Sequence, residues 1–402
     1  MSESPVIVFP AAGAQRFRAW AIIVAAAWIV CVIIGWIFEP DVFYRSYLFA
    51  WLFWLGVTLG AIGVVMLHHL MGGHWGTPTR RLGEHAGMTL PLMIVLFIPV
   101  AIGLHSLFIW SRADELAKDP TLRHKAAYLN VPFFLLRACF YFASWLLLAW
   151  YLRSRSLRFE RTRNPATERA MHNVSAGGML YYFISMSFAG VDWIMSREPH
   201  WFSTVFGLLV VAAQGISGLC FIILVLSILY RIGILRGVVD EDQFNDLGSL
   251  LLTFVIVWAY LAFVQLLVIW MGNKQDEIPW YVQRLSNGWW WIGLLLVLLH
   301  FLVPFIVLLM RQLKRSARAM LWLCAGLLIM RAVDVFWMVG PSGDDPQPLL
   351  RHILSWLDFV LPIGMGGAWL LMFLWLADGS PLLVSMPTGA PAAERADGLQ
   401  GA

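Results

Sequence analysis

Long apolar runs alternate with short polar segments along almost the whole chain. A bilayer core about 30 Å thick is crossed by about 20 apolar residues of helix, and ten runs meet that length. We therefore predict an all-α polytopic membrane protein with ten transmembrane helices, near residues 19–38, 43–71, 88–110, 127–152, 172–195, 202–230, 247–271, 287–311, 317–340 and 352–377. The membrane domain then covers residues 1–378. The Pro-, Ala- and Gly-rich residues 379–402 have no periodicity and are predicted to form a disordered tail.

Composition agrees with this pattern and narrows the possible partners. Hydrophobic residues make up 60% of the chain and charged residues 13%, against about 25% charged residues in soluble domains. The net charge of +4 is small, so nothing favours a nucleic-acid partner. The cysteines lie singly in apolar runs, at Cys31, Cys139, Cys220 and Cys324. Because they form no CxxC pair, we predict neither a disulfide frame nor a metal site.

Basic residues predict the orientation in the membrane. The N-terminus, the tail and the loops after the even-numbered helices hold about twice as many Lys and Arg as the other side, so the positive-inside rule places both termini in the cytoplasm. The segment that joins helices 5 and 6, residues 190–207, then lies on the outer face. We call this segment the hairpin.

Six ionisable residues lie inside predicted helices, where a charge is costly and marks a functional candidate. Counting about 1.5 Å per residue places all six in the outer half: His105, Arg137, Asp192, Arg331, Asp334 and Asp358. Arg331 and Asp334 are three residues apart on one helix and can pair. One interpretation is structural, with Asp192 capping the helix or pairing with Arg197. The other is a proton path that opens to the outer face.

The loop predicted after helix 2 is rich in His and lies on the inner side. His68, Glu84 and His85 are candidates for a proton entrance there, because His and Glu relay protons through water. The alternative is a Gly-rich turn in which Arg80 and Arg81 contact lipid head groups.

Near the middle of the membrane, polar side chains are predicted on three further helices. Gln214, Gln265 and His300 could hydrogen-bond across helices or hold a chain of waters. A haem held by two His remains an alternative, because pairs at equal depth exist: His105 with His352, and His68 with His172.

Four long motifs resemble one known family. They are VDWIMSREPHWFSTVFG, WAYLAFVQLLVIWMGNKQDEIPWYVQR, GGHWGTPTRRLGEHAGMTLPLMIVLFIPVAIG and YLNVPFFLLRACFYFASW. They are similar to the ActF-type integral membrane subunits of alternative complex III, which belong to the NrfD-like superfamily of polysulfide-reductase membrane-subunit type. The match follows the ten helices in order. Two outer-loop details depart from it: the acidic pair after the Gly-Asn turn is shifted, and Met271 replaces a common aromatic residue.

The resemblance implies a fold and a set of partners. The fold would have two four-helix bundles, helices 2–5 and 6–9, flanked by helices 1 and 10. The partners would be a larger NrfD-like membrane subunit, an outer-face iron–sulfur subunit, haem c subunits and lipid, in the bacterial cytoplasmic membrane. Menaquinol or ubiquinol would be oxidised by the complex, while this chain would bind no cofactor of its own. The hairpin residues Arg197, Glu198, His200 and Trp201 would form a docking edge for the outer subunits.

These observations together predict a haem-free membrane subunit of a quinol-oxidising respiratory or photosynthetic complex. Its own chemistry would be proton handling, with an outer path at Asp192, His105 and Arg137 and a second cluster at Asp334 and Arg331. Two alternatives stay open. A pure docking scaffold would need its buried charges only for folding, and a secondary transporter would show internal repeats and helices broken at the midplane.

Overall fold

The computed structural model of the protein describes residues 6–8, 11–342, 349, 355–378 and 380–384. Ten helices in this part of the chain are long and apolar enough to cross a membrane, so the prediction of an all-α multi-pass membrane protein is confirmed. We number them 1 to 10 with the bounds Ala19–Phe38, Pro40–Met71, Pro78–Ile102, Val131–Thr162, Pro165–Arg197, Phe206–Arg231, Glu241–Gly272, Trp290–Leu309, Ala317–Val339 and Leu357–Ala377.

The helices form two bundles around a buried centre. Helices 2 to 5 pack as one bundle and helices 6 to 9 as the other, while helices 1 and 10 pair with each other and lie against helix 2. Helices 2 and 6 contact each other extensively and join the two bundles. Most of helix 2 is buried and most of helix 1 is exposed, because helix 1 lies at the edge, where apolar side chains face lipid.

Helices 2 and 6 approach each other through glycines. A Cβ on Gly60 would lie 1.8 Å from the carbonyl oxygen of Gln214, and one on Gly218 would lie 2.2 Å from the carbonyl carbon of Gly60. Small residues at a helix crossing permit close backbone contact in a membrane.

Gly60→Ala is therefore expected to lower the free energy of unfolding by about 1–3 kcal/mol, because the added methyl group must force the two helices apart. Gly177→Ala is the matched control, since nothing lies within 4 Å of its Cβ position. Thermal unfolding of both variants in detergent measures the difference. An equal midpoint for the two would contradict the close approach.

The two ends of the chain meet on one side. Strand β1, Val6–Val8, pairs antiparallel with strand β2, Pro381–Val384. We call this side the termini face and the opposite side, which carries the hairpin, the hairpin face. Part of the predicted disordered tail is thus a strand, because it finds a pairing partner at the N-terminus. Residues 385–402 lie outside the described residues.

Helices on the termini face extend further than predicted. A helix at Gly76–Gly87 occupies the segment that the sequence predicted as a loop, and it is followed by the short helices Leu90–Val95 and Ile98–Ile102. Helix 4 continues to Thr162. The hydrophobic pattern missed both extensions because they are polar, and they are held by ion pairs with each other.

Shorter helices complete the described fold. They follow helices 3, 7 and 8 at Leu104–Leu107, Ala113–Lys118, Pro120–Lys125, Ile278–Leu285 and Arg311–Lys314. Helix 8 is itself divided, with a π-helical stretch at Leu296–Leu302. Pro304 explains this stretch, because it has no N–H to donate to the carbonyl of His300, and the hydrogen-bond ladder shifts.

Candidate functional site: buried Arg–carboxylate clusters

Asp192 lies at the hairpin end of helix 5, inside the first bundle, and is 1% exposed. Arg137 of helix 4 donates to both carboxylate oxygens, from Nε at 2.8 Å and from Nη2 at 2.7 Å. The Tyr141 hydroxyl donates to the same carboxylate at 3.1 Å. Two-point Arg–carboxylate pairing is a strong charge-assisted contact, so helix 4 fixes the position of the Asp192 carboxylate.

Tyr128 completes what we call the Asp192 cluster, with Arg137, Tyr141 and Asp192. The guanidinium carbon of Arg137 lies 3.8 Å from the centre of the Tyr128 ring. Burial, and then the negative charge of Asp192, raise the pKa of Tyr128 well above its ordinary value. Tyr128 therefore stays a neutral hydroxyl at physiological pH.

A cleft of about 320 Å³ on the hairpin face reaches Tyr128, the member of this cluster that belongs to its lining. Its lining includes His124, Lys125, Tyr128 and Ser196. The Ser196 hydroxyl donates to the backbone oxygen of Asp192 at 2.6 Å. The Asp192 cluster is thus buried and also close to a water-accessible opening.

Of the residues that the sequence grouped with Asp192, Arg137 is its partner, whereas Arg197 and His105 are not. Arg197 does not pair with it, because Arg197 points away to the end of helix 9. His105 is exposed and contacts Ser111, and among the described residues no hydrogen bond or ion pair joins it to the Asp192 cluster. His105 lies beyond the end of helix 3, in the short helix Leu104–Leu107.

A second cluster occupies the corresponding half of the second bundle. Arg331 pairs with Asp334 as the spacing on helix 9 predicted, and Arg331 Nε donates to Ser217 of helix 6 at 3.2 Å. The His300 ring lies edge-on to Trp258 of helix 7, with ring centres 4.1 Å apart. These five residues, the Asp334 cluster, come from all four helices of the bundle.

His300 is fully buried, and no group in the described ranges hydrogen-bonds to either of its ring nitrogens. It lies in the π-helical stretch and within electrostatic reach of Arg331. Such π-helical stretches are frequent at functional sites, and an unsatisfied buried imidazole is costly unless it exchanges a proton or binds a ligand.

Asp358 forms a third pair, with a partner that the sequence did not suggest. Arg45 of helix 2 contacts its carboxylate at 3.1 Å, and the Ser46 hydroxyl at 2.5 Å. The described part of helix 10 begins at Leu357, so Asp358 lies in the first turn rather than deep in the helix. This pair ties helix 10 to helix 2.

The predicted proton entrance on the termini face is an ion-pair network. Glu84 pairs with Arg81, and Glu160 of helix 4 pairs with Arg81 and, at 2.8 Å, with Arg80. Arg80 and Arg81 therefore bind carboxylates of the protein rather than extending freely toward lipid head groups.

The two histidines of the predicted proton entrance, His68 and His85, lie in different surroundings. His85 is buried beside the Phe373 ring, with its Nδ1 unpartnered, whereas His68 packs on Trp75. No hydrogen bond or ion pair among the described residues joins His68 to Glu84. For the haem alternative, the His172 ring contacts the backbone oxygen of His69 at 3.1 Å, and His352 lies outside the described residues.

Polar side chains between the two faces form short links. Thr58 contacts Thr89 at 2.9 Å and accepts from the Trp369 indole at 2.8 Å. Gln214 accepts from the Tyr182 hydroxyl. A void of about 20 Å³, lined by Gln214 and Arg331 among others, lies between the bundles. That volume is enough for one water molecule.

The predicted docking edge is mostly internal. Arg197 and Trp201 are buried; Arg197 Nη2 donates to the Ser342 oxygen at 2.8 Å, and Trp201 stacks on Trp280 with ring centres 4.6 Å apart. Their carbonyl and aromatic partners lie within the chain, so these two residues do not form a surface.

Glu198 also has partners within the chain. With Arg197, Arg284 and Ser342 it forms what we call the hairpin joint, to which His200 does not belong. Arg284 Nη1 contacts Glu198 at 3.1 Å, and Arg284 Nη2 contacts Ser342 Oγ at 2.7 Å. His200 is exposed and pairs with Asp119 at 2.9 Å. Of the four predicted docking residues, His200 is the one that remains on the surface.

Some of these partners carried a signal in the sequence. Arg284 follows Trp280 by four residues, the spacing of stacked neighbours on a helix, and its guanidinium carbon lies 3.7 Å from the Trp280 ring centre. Tyr141 follows Arg137 at the same spacing. Arg45 and Glu160 gave no signal, because their partners are distant in sequence.

A scan against protein-family models found no match, and a search of curated proteins found none. Among the described residues, no three His, Cys, Asp or Glu side chains come together as a metal site requires. The function is therefore proposed from the buried clusters and from the motifs quoted above.

Proposed function

We propose that the chain is a haem-free membrane subunit of a quinol-oxidising electron-transfer complex, of the ActF type of alternative complex III. Its role is to support the complex and to carry protons. The observation that carries the proton role is the Asp192 cluster, a buried carboxylate held by Arg137 beneath an open cleft. The resemblance of the four motifs is the observation that supports membership of this complex.

The two bundles support this proposal in parallel ways. Each holds one buried Arg–Asp pair on the hairpin side, and each pair lies beside a cavity. Charges at this depth are costly and are typically retained for transport or proton relay. Quinol oxidation releases protons as well as electrons, and carboxylates are suited to receive them.

Each member of the Asp192 cluster has a distinct part in proton handling. Asp192 is the group that exchanges a proton. Arg137 fixes the orientation of its carboxylate. The neutral hydroxyls of Tyr128 and Tyr141 can donate and accept, and the cleft beside Ser196 connects the cluster with water on the hairpin face.

The orientation and partners belong to the same proposal. Both termini lie in the cytoplasm of a bacterium, and the hairpin face lies outside the cytoplasmic membrane. A larger NrfD-like subunit, an iron–sulfur subunit and haem c subunits are the partners, with menaquinol or ubiquinol as the reductant of the complex. The network of Glu84 and Arg81 marks the cytoplasmic side.

Gentle solubilisation of the native membrane tests this membership directly. We expect the chain to migrate in native electrophoresis with proteins that carry haem c, and to be lost from that band after detergent dissociates the complex. Migration as a separate species without haem c would contradict the proposal and would favour a secondary transporter.

A further inference from the structure

A large cleft opens between helices 7, 8 and 9, apart from the Asp192 cluster. Its volume is about 660 Å³, within the range of small-molecule sites. Aromatic side chains wall it: Trp258, Trp337 and, from the short helix Ile278–Leu285 at the hairpin end, Trp280 and Tyr281. Flat walls of this kind favour a planar ring, which packs on them by offset or edge contacts.

The cleft opens toward the hydrocarbon of the membrane. Tyr260 and Phe263 of helix 7 line it and are 62% and 60% exposed, and Val297 of helix 8 is exposed on the other edge. These residues lie within membrane-spanning helices, so their exposed sides face lipid. A ligand that enters here must be soluble in lipid.

Two polar side chains, Gln265 and Asp334, line the interior of the cleft. Gln265 is 2% exposed, and its side chain contacts that of Tyr281. Within the part of the chain that the structure describes, its Oε1 accepts no hydrogen bond. It lies seven residues before the end of helix 7 at Gly272, about 10 Å below the hairpin face. Asp334 lines the same cleft, five residues before the end of helix 9. A buried acceptor without a donor is unfavourable in a largely apolar cavity, and a hydroxyl donor from a ligand would offset that cost.

We propose that this cleft binds the hydroxylated ring of an isoprenoid quinol, with its hydrocarbon tail directed through the mouth between helices 7 and 8. A ring hydroxyl donates to Gln265 Oε1, and the indoles of Trp258 and Trp337 pack on the ring. The choice of a quinol among lipid-soluble ring alcohols rests on the proposed function. The evidence for the cleft and for its unpaired acceptor is independent of that function.

The test uses the purified native complex that contains the full-length chain. The probe is a photoreactive azidoquinone. After reduction and illumination, peptide mapping is expected to place the label on helix 7 or on the short helix Ile278–Leu285. Labelling on the groove beside Phe53 and Phe359, with none in the cleft, would overturn the inference. So would mass spectra showing a phospholipid that the probe cannot displace.

Two variants separate hydrogen bonding from shape. Gln265→Leu is expected to weaken binding of reduced decylubiquinone about tenfold, the equivalent of one lost hydrogen bond. Gly293→Leu is expected to abolish binding, because Gly293 lines the cleft and the new side chain grows toward the Trp337 indole, 3.9 Å from its Cβ position.

Gly326→Leu is the matched control. Nothing lies within 4 Å of its Cβ position, and Gly326 is not part of the cleft lining, so binding should not change. Equal affinity in all three variants would overturn the cleft assignment. A chain that migrates with haem c proteins but binds no probe would disprove this inference alone, whereas a chain that binds the probe but migrates separately would disprove the proposed membership of the complex.

Discussion

Arg284→Met is expected to lower the free energy of unfolding by about 3–5 kcal/mol, the usual effect of breaking a buried ion pair. Arg284 is 0% exposed. It contacts Glu198 of the hairpin, Ser342 beyond helix 9 and the backbone oxygen of Met338 at 2.7 Å. Its loss leaves Glu198 without its guanidinium partner and removes donors from two buried acceptors. Thermal unfolding of the purified chain in detergent measures the change.

Lys274→Met supplies the matched control. Lys274 also pairs with a carboxylate, Glu277 at 3.6 Å, but its side chain is 67% exposed. Pairs of that kind contribute about 0–1 kcal/mol, so this variant should unfold almost as the parent does. If Arg284→Met were no more destabilised than Lys274→Met, the hairpin joint would not hold the two bundles together.

Single substitutions in the Asp192 cluster are expected to be as costly. Asp192→Leu leaves the Arg137 guanidinium buried without a counter-charge, and Arg137→Met leaves the carboxylate in the same position. Each change should lower the free energy of unfolding by about 3–5 kcal/mol. Detergent unfolding or the yield of assembled complex measures this loss.

The double variant Arg137→Met with Asp192→Leu should recover most of that stability. A buried ion pair can be replaced by apolar side chains at little cost, because both desolvation penalties disappear together. A double-mutant cycle on the two positions isolates the coupling. Additive losses in the double variant would mean that the two residues do not form the pair on which the proton path depends.

Hydrophobic patterning predicted the helices well, because a run of about twenty apolar residues forms few stable structures other than a transmembrane helix. The Arg331–Asp334 pair was also predictable, since its spacing of three residues is local to one helix. The polar extensions at Gly76–Gly87 and at the end of helix 4 were not, because they are held by ion pairs between helices rather than by apolar periodicity.

The pairing of buried charges depended on tertiary structure. Depth grouped Asp192 with His105 and Arg137, and Arg197 was the local alternative; packing selects Arg137, 55 positions away. Asp358 pairs with Arg45, 313 positions away. A sequence gives the depth of such residues by counting along a helix, but the face that each helix turns to its neighbours follows from packing. For the same reason His105, at a suitable depth, stays outside the cluster.

Burial changed the interpretation of the hairpin most. The charges and aromatic residues of the hairpin indicated a surface for partners. Arg197 and Trp201 are instead buried by contacts within the chain. In the first bundle, the proposed proton path on this face consists of the Asp192 cluster and the cleft beside it. The hairpin thus stabilises the junction of the two bundles beside the proposed exit.

The proton role of Asp192 is tested most directly in the assembled complex with the double variant Arg137→Met and Asp192→Leu, in which folding and charge are separated. Haem c content confirms assembly, and a pH-sensitive dye follows proton release while quinol oxidation is measured. Loss of a proton-transfer group typically costs about 10²–10⁴-fold in rate. We predict normal haem content with turnover and proton release reduced at least about 100-fold. Normal haem content with unchanged turnover and proton release would contradict the account and leave the chain a scaffold.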